Sequence, residues 1–508
     1  MASGTVLAPG DFFSGLRKGL KARLPAPLRS FSSARGRGRL MKLHYGRPEF
    51  HYEAWHHTGV GRLEIGLHFE GSAAENQEAF DYFRGHMLEV KAQLPRAELE
   101  PWDRGWSRLY ETLPAQLLDE GVLDEAAVRL ANYIVTLQPL LEHYIHMNHA
   151  GVSPMSQRAR AAIEQVVDAS MNRPYRDGWA QDEANRVREL ISQLINASAD
   201  SIALTRSTAH GISLLAQGLD WKVGDNVVGA VGEYPANVYP WMALATRGVE
   251  YRQAKPVDGR ITPEDVLSLV DTRTKVVALS QVEFWNGFRV DVETIGAECR
   301  RRDIVFAVDI MQSVGALRVD VGRLPVDFCA AGAGKWLIGP SGIGFLYCAP
   351  ALLERIWPVV VGARSVAGND YFTYDLTLAP GARRFEESVV SVLTTAAFGA
   401  ALELLLEVGP DVIEERVLEL SARLADGLAA CGCEIVEPWP RTRAESSGIV
   451  SFRRPGTKPQ SVLRDLSAAH VIARIHQDFV RLSPHFYNTE EEVDRVLDVL
   501  SPERVGRQ

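Results

Sequence analysis

Short apolar runs punctuate the middle of the chain: "NVVGAV" (226–231), "TKVVALSQV" (274–282), "DIVFAVDI" (303–310), "VDFCAAG" (326–332) and "IGFLYC" (343–348). They lack the alternation of a half-exposed strand, and several are separated by stretches of helical period. That pattern predicts an α/β domain around a mainly parallel, buried central sheet with helices on both faces. Ahead of the runs, Pro154 opens a predicted helix reaching about Met171, and Val187, Leu190, Ile191 and Leu194 put an apolar stripe on the next one. Behind them, a Gly- and Tyr-rich loop after residue 352 leads to a predicted helix over 392–406 and a smaller α+β portion.

The N-terminal part has another texture. In "GRLEIGLHFEG", Leu63, Ile65, Leu67 and Phe69 alternate with Glu64, His68 and Glu70, which predicts a strand with one face in a core and one in solvent. Helices are predicted over 76–94 and 125–141, so residues 42–142 read as an α+β unit whose function is not legible. Glu64, His68 and Glu70 share a face and could be drawn as metal ligands. A solvated strand face is the preferred reading, and no metal is expected. Before Glu49 the only acid is Asp11, against Arg17, Lys18, Lys21, Arg23, Arg29, Arg35, Arg37 and Arg39. Residues 1–41 therefore read as a basic leader, a tail, or a stretch preceding a start at Met41, and are expected to lie outside the fold. The remaining boundaries expected are 143–352 for the large domain and 353–508 for the loop, long helix and small domain.

Composition narrows the function classes. With 508 residues, 46% hydrophobic and 23% charged, the chain is long enough for two or three globular domains. A net charge of −9 argues against a nucleic-acid grip. No apolar stretch is long enough to span a bilayer, and a cytoplasmic protein is expected. Five cysteines with no CxxC give neither a disulfide framework nor a zinc site.

In a doubly wound sheet the ligand sits beyond the strand C-termini, so the residues ending the apolar runs carry the chemistry: Glu233 and Tyr234, Ser280, Asp309 and Lys335. Asp309 closes an almost wholly apolar strand and needs a cationic partner. Gln312 follows it, and Lys335 comes 26 residues later in "AAGAGKWLIG". This is not a Walker A loop, because Trp336 stands where Ser or Thr is required. An Asp, a Gln and a Lys at neighbouring strand ends suit pyridoxal phosphate, whose aldehyde takes a lysine and whose ring nitrogen needs an anion.

From about residue 143 onward the chain resembles the class V aminotransferases of fold type I, closest to the branch of cysteine desulfurases, selenocysteine lyases and isopenicillin N epimerase-like proteins. The resemblance runs through "GEYPANVYPW", "VDIMQSVGALRVDVGRLPVDFCAAGAGKWLIGPSGIGFLY", "RRFEESVVSVLTTAAFGAALELL" and "FVRLSPHFYNTEEEVDRVLDVL", in that order. It implies that Lys335 binds the cofactor covalently and carries the α-proton, that Asp309 pairs with the ring nitrogen, and that Gln312 donates to the phenolic oxygen. Tyr234 falls where relatives often stack a histidine. Ser207, Thr208 and the Ala209 amide fall on the phosphate turn, and Arg481 matches the arginine for the substrate's α-carboxylate. A homodimer is also implied, with the 363–391 stretch as its contribution to a shared site.

Three positions depart from the pattern. Gly332 and Gly334 stand where relatives often read the Ser and His of S-x-H-K, and Val389 stands where a partner-subunit threonine is expected, with Ser388 or Ser391 as substitutes. Desulfurases of the branch also carry a catalytic cysteine before the R-x-S element, and "AHVIARIHQDFVR" (469–481) has none. Cys431 and Cys433 are nearest, on an expected buried strand. The implied activity is transamination, epimerisation or elimination at an amino acid or its conjugate, without a persulfide-forming cysteine. The alternative is a non-catalytic regulatory protein on an inherited pyridoxal scaffold.

Overall fold

The computed structural model describes residues 5–34, 38–141, 144–172, 179–368, 372 and 374–501. Contacts divide the chain into two compact units, Met1–His143 and Tyr144–Gln508.

The first unit is an antiparallel sheet of β1 (Ser32–Ala34), β2 (Leu40–His44), β3 (Phe50–His57), β4 (Arg62–Phe69), β5 (Glu98–Pro101) and β6 (Ser107–Pro114), in the order β1-β2-β3-β4-β6-β5. Leu63, Ile65, Leu67 and Phe69 enter a core shared with the helices Pro9–Arg23, Ala73–Gly85 and Glu120–Leu141. The predicted helix over 76–94 is broken at His86 into Ala73–Gly85 and Met87–Gln93. Residues 1–41 are not outside the fold. Phe12, Phe13, Leu16 and Leu20 make a buried stripe on the helix Pro9–Arg23, and Met41 lies within β2. The basic residues that suggested a leader occupy this helix's outer face and the turns after it; Arg35 and Arg37 lie outside the described residues.

The other face of β4 is not solvated. Glu64 is 3% exposed and His68 0%, because β3 and β6 supply complementary charge and Trp102 covers His68 edge-on, with centroids 5.3 Å apart. Arg108 donates to both Glu64 oxygens at 2.9 and 2.8 Å. Burial alone would raise the Glu64 carboxyl, but His68, Arg108 and His57 together hold it below its ordinary range. Alternation gave the period correctly and the environment wrongly, since a sheet face can be buried by its own ion pairs. His51, Glu53 and Glu70 bring their ligand atoms within 4.8 Å of one another. The Lys42 ammonium lies 2.9 Å from Glu70 and 3.3 Å from Glu53 and offsets part of their charge.

The second unit holds a seven-stranded sheet of β8 (Ile202–Thr205), β9 (Asn226–Ala230), β10 (Glu250–Ala254), β11 (Thr274–Ser280), β12 (Val305–Asp309), β13 (Phe328–Gly332) and β14 (Gly344–Cys348), ordered β10-β9-β11-β12-β13-β14-β8. All pairings are parallel except those of β14. Alternate residues feed two cores, one on each face: Val277, Leu279, Phe306 and Val308 enter one, and Val276, Ala278, Val305 and Ala307 the other. Strands apolar on both sides are what a covered parallel sheet requires.

The C-terminal portion is an antiparallel sheet of β15 (Glu434–Ile435), β16 (Val450–Arg453), β18 (Arg474–His476) and β19 (Phe479–Leu482), ordered β15-β16-β19-β18. The helices Pro410–Ala430, Pro459–Ala468 and Glu490–Leu500 share its core. The expected start of the large domain belongs partly here: β7 (Ile145–His146) pairs with β17 (Val471–Ile472), and Ile145 and Met147 sit in this core. Cys431 caps a helix and Cys433 stands immediately before β15, so neither lies on a strand.

Candidate active site

The parallel strands end around a cavity of about 360 Å³ whose lining includes Ser207, Thr208, Tyr234, Asp309, Gln312 and Lys335. Pairing sets this convergence, because Ser280 at the end of β11 is in register with Asp309 at the end of β12, and Asp309 with Ala330 on β13.

Asp309 is 5% exposed. Its Oδ1 accepts the Met311 N–H at 2.8 Å, and no cation lies within ion-pair distance among the described residues. Burial pushes its carboxyl up to about 6, against the Met311 N–H and the more distant Lys335. Lys335 reaches into the cavity with its ammonium 5.2 Å from the centre of the Tyr234 ring. Burial and then Arg481 lower its pKa to about 8. A half-formed electrostatic site results, with an anion lacking a close cation and an ammonium made easier to deprotonate.

Gln312 is fixed at both ends of its amide. Nε2 donates to the Ala150 carbonyl at 3.1 Å, and Oε1 accepts the indole N–H of Trp336 at 2.8 Å. One Nε2 hydrogen remains for a ligand. The tryptophan that excluded a Walker A reading therefore orients the glutamine beside the lysine.

At the cavity's other end, Ser207 caps the helix Thr208–Gly218, its Oγ accepting from the His210 N–H at 3.2 Å. A helix start with free N–H groups beside the hydroxyls of Ser207 and Thr208 is an arrangement that suits an anion. The two glycine departures differ in the room they leave. A Cβ at Gly334 would lie 3.0 Å from Ser341 Oγ, and one at Gly332 would lie 3.4 Å from Met311 Cε. The contact at Gly334 is tight and would require Ser341 to shift, whereas the one at Gly332 is ordinary van der Waals contact. Ser391 is committed to capping the helix Val392–Val408, while Ser388 and Val389 are exposed.

Arg481 does not line the cavity directly. It is 2% exposed, its Nη1 donates to the Phe284 carbonyl at 2.6 Å, and its Nε is buried without a partner. Phe284 does line the cavity, edge-on to Tyr234 at 5.2 Å. Burial and Arg474 lower the Arg481 pKa to about 10.

Sequence reasoning missed Arg206, Phe284, Met311 and Ser341, all of which line the cavity. Arg206 adjoins the capping serine; Phe284 and Ser341 follow strand ends in loops with no local signal. Glu233 was singled out only as a strand-end residue. It accepts from both the backbone N–H and the hydroxyl of Ser280, and burial pushes its pKa up to about 7. Glu283 beside it is also raised by burial, with both oxygens lacking a protein partner.

The family model "Aminotransferase class-V" matches residues 136–496. A probable cysteine desulfurase of Pyrococcus abyssi is 31% identical over 420 residues, 76% of this chain and 97% of that protein. Isopenicillin N epimerase of Streptomyces clavuligerus is 29% identical over 336 residues, 62% of this chain and 83% of that protein. Among solved structures, a mutant of C-DES with glycine covalently linked to its PLP cofactor superposes with a TM-score of 0.67 at 25% identity, over 72% of this chain and 98% of that one.

Proposed function

The chain belongs to the class V aminotransferase family, and on that premise we propose that it is a pyridoxal phosphate enzyme acting at the α-carbon or β-substituent of an amino acid or amino-acid conjugate. The observation that carries this reading is Asp309, a buried carboxylate at a strand end with no cation within ion-pair distance, on the same cavity as Lys335. A protonated ring nitrogen supplies the missing charge, so the residues present fit the cofactor.

Bound there, the cofactor supplies an electron sink for charge developing at the substrate's α-carbon. Asp309 holds the ring-nitrogen proton. Lys335 Nζ would hold the cofactor covalently and would move the proton at the substrate's α-carbon, and a pKa lowered to about 8 suits both tasks. Gln312 would donate its free Nε2 hydrogen to the phenolic oxygen, and Tyr234 would stack against the ring. Ser207, Thr208 and the Ala209 N–H hold the phosphate. Arg481 takes the substrate's α-carboxylate, for which its unpartnered Nε is the structural argument: a guanidinium buried without an anion is expensive.

The reaction proceeds without a cysteine nucleophile. No cysteine lies in the stretch before Arg481, and burial raises the thiol of Cys433 to about 11. Transamination, epimerisation and elimination are distinguished by where the proton and any leaving group go. A screen of amino acids separates them: conversion to the pyridoxamine form marks transamination, keto acid with ammonia marks elimination, and solvent deuterium at the α-carbon without either marks epimerisation. Turnover of cysteine to alanine with a persulfide formed on a cysteine of this chain would overturn the exclusion.

Two copies form the working enzyme in this reading. Trp357, Val359, Val360 and Val361 are 55%, 45%, 38% and 43% exposed in one short segment, an apolar run suited to a subunit contact. Light scattering on the eluting protein tests this, and a fully active monomer would refute it.

A further inference from the structure

Arg481 shares its face of the small sheet with a second arginine. β18 and β19 run antiparallel with Arg474 directly opposite Arg481 and His476 opposite Phe479. Side chains directly opposite share a face, with Cβ atoms about 5 Å apart, and like charges so placed repel. A carboxylate between them is the usual relief. Among the described residues none is there: Arg474 makes no hydrogen bond or ion pair, and the buried Nε of Arg481 has no partner. The buried Nε2 of His476 has none either. Asp478, the acid of the connecting turn, is engaged by Arg453 at 2.7 and 3.2 Å. The His476 ring stands edge-on to Phe284 with centroids 5.7 Å apart, and Phe284 lines the cavity that holds Lys335. Burial, followed by Arg481, Arg474 and Lys335, lowers the His476 pKa to about 4, leaving a neutral ring able to donate one hydrogen bond. Arg481 and His476 border the Phe284 wall, and the exposed Arg474 shares their face of the strand pair, without an acidic side chain among the described residues paired to either arginine.

We infer that Arg474 reads a second carboxylate on the substrate, so that the substrate class is a dicarboxylic amino acid held between Arg474 and Arg481. This rests on the reading of Arg481 as the α-carboxylate site. The α-carboxylate meets the guanidinium behind Phe284, and the distal carboxylate meets the one across the strand pair. An aliphatic analogue of equal length leaves Arg474 without its anion. The discrimination should be roughly tenfold to a hundredfold, the range for hydrogen bonds to charged groups.

The probe is succinate against butyrate, which have equal carbon count, no amine, and two carboxylates against one. Calorimetry on the pyridoxal phosphate-loaded protein should show succinate binding at least tenfold more tightly. Arg474→Gln, a change at an exposed position on the edge strand, should abolish that preference while leaving butyrate within about twofold. A parallel titration of the cofactor's spectrum with L-aspartate and L-2-aminobutyrate should show the same split. Equal affinities in the wild-type protein, or a preference that survives Arg474→Gln, would overturn the inference and leave the functional reading standing. A protein that takes up no pyridoxal phosphate overturns that reading instead, and the succinate comparison on the cofactor-free protein still decides the role of Arg474.

Discussion

Asp309→Asn separates a functional carboxylate from a structural one. The substitution keeps the side chain's shape and the Oδ1 that accepts the Met311 N–H, and removes only the charge. In the cofactor-free protein that charge is a burden. A carboxyl raised from 3.8 to about 6 by burial is destabilising, because the unfolded chain ionises more readily than the folded one. The penalty develops as pH rises from about 4 to about 6 and is complete at pH 7, at roughly 3 kcal/mol. The asparagine avoids part of it, so cofactor-free Asp309→Asn should melt a few degrees higher than the cofactor-free parent at pH 7 and no higher at pH 4. With cofactor bound the sign reverses. A charge-assisted hydrogen bond contributes about 1.5–3 kcal/mol, and unit charges 4 Å apart at an effective dielectric of 20 about 4 kcal/mol. Turnover should therefore fall by roughly tenfold to a thousandfold, with covalent attachment to Lys335 retained. The assay pairs differential scanning calorimetry of both forms with stopped-flow spectra of the loaded protein. Turnover within twofold of the parent would refute the reasoning, as would a cofactor-free variant less stable than the parent at pH 7.

Arg481→Lys keeps the charge and loses the planar fork, so the apparent KM for an amino acid should rise about tenfold to a hundredfold while the cofactor's spectrum without substrate is unchanged. A bleached or unfolded protein would make Arg481 structural. Cofactor uptake should depend on pH in two ways: it weakens below pH 6, where Asp309 in the cofactor-free protein becomes neutral, and its rate climbs toward pH 8 as Lys335 loses its proton. Uptake independent of pH between 5 and 9, followed by absorbance, would contradict both assignments. Phe12→Ala removes a fully buried ring from the N-terminal core and should destabilise that unit by about 3–5 kcal/mol, read as earlier proteolysis of the N-terminal unit. Unchanged protease resistance would place the helix Pro9–Arg23 outside the fold.

Long-range apolar pattern made the central sheet legible. The runs ending at Ser280, Asp309 and Gly332 became β11, β12 and β13 because a strand covered on both sides must be apolar on both. β8 and β10 were not legible: "IALT" is too short to signal, and "EYRQA" lies at the sheet edge with Glu250 and Gln253 exposed. At the site, Asp309, Gln312 and Lys335 could be read because charged or polar groups ending apolar strands are costly without a use. Ser341 and Phe284 could not, since their positions depend on how loops return over the cavity. The polar face of β4 failed for a related reason: period reports which residues share a face, and only the partners from β3 and β6 decide whether that face is wet.

Borohydride reduction of the pyridoxal phosphate-loaded protein, followed by peptide mapping, tests the central claim most directly. The account predicts one phosphopyridoxyl group per chain, on Lys335, and none in Lys335→Ala. Label spread over surface lysines, or a protein that no added pyridoxal phosphate can load, would contradict it.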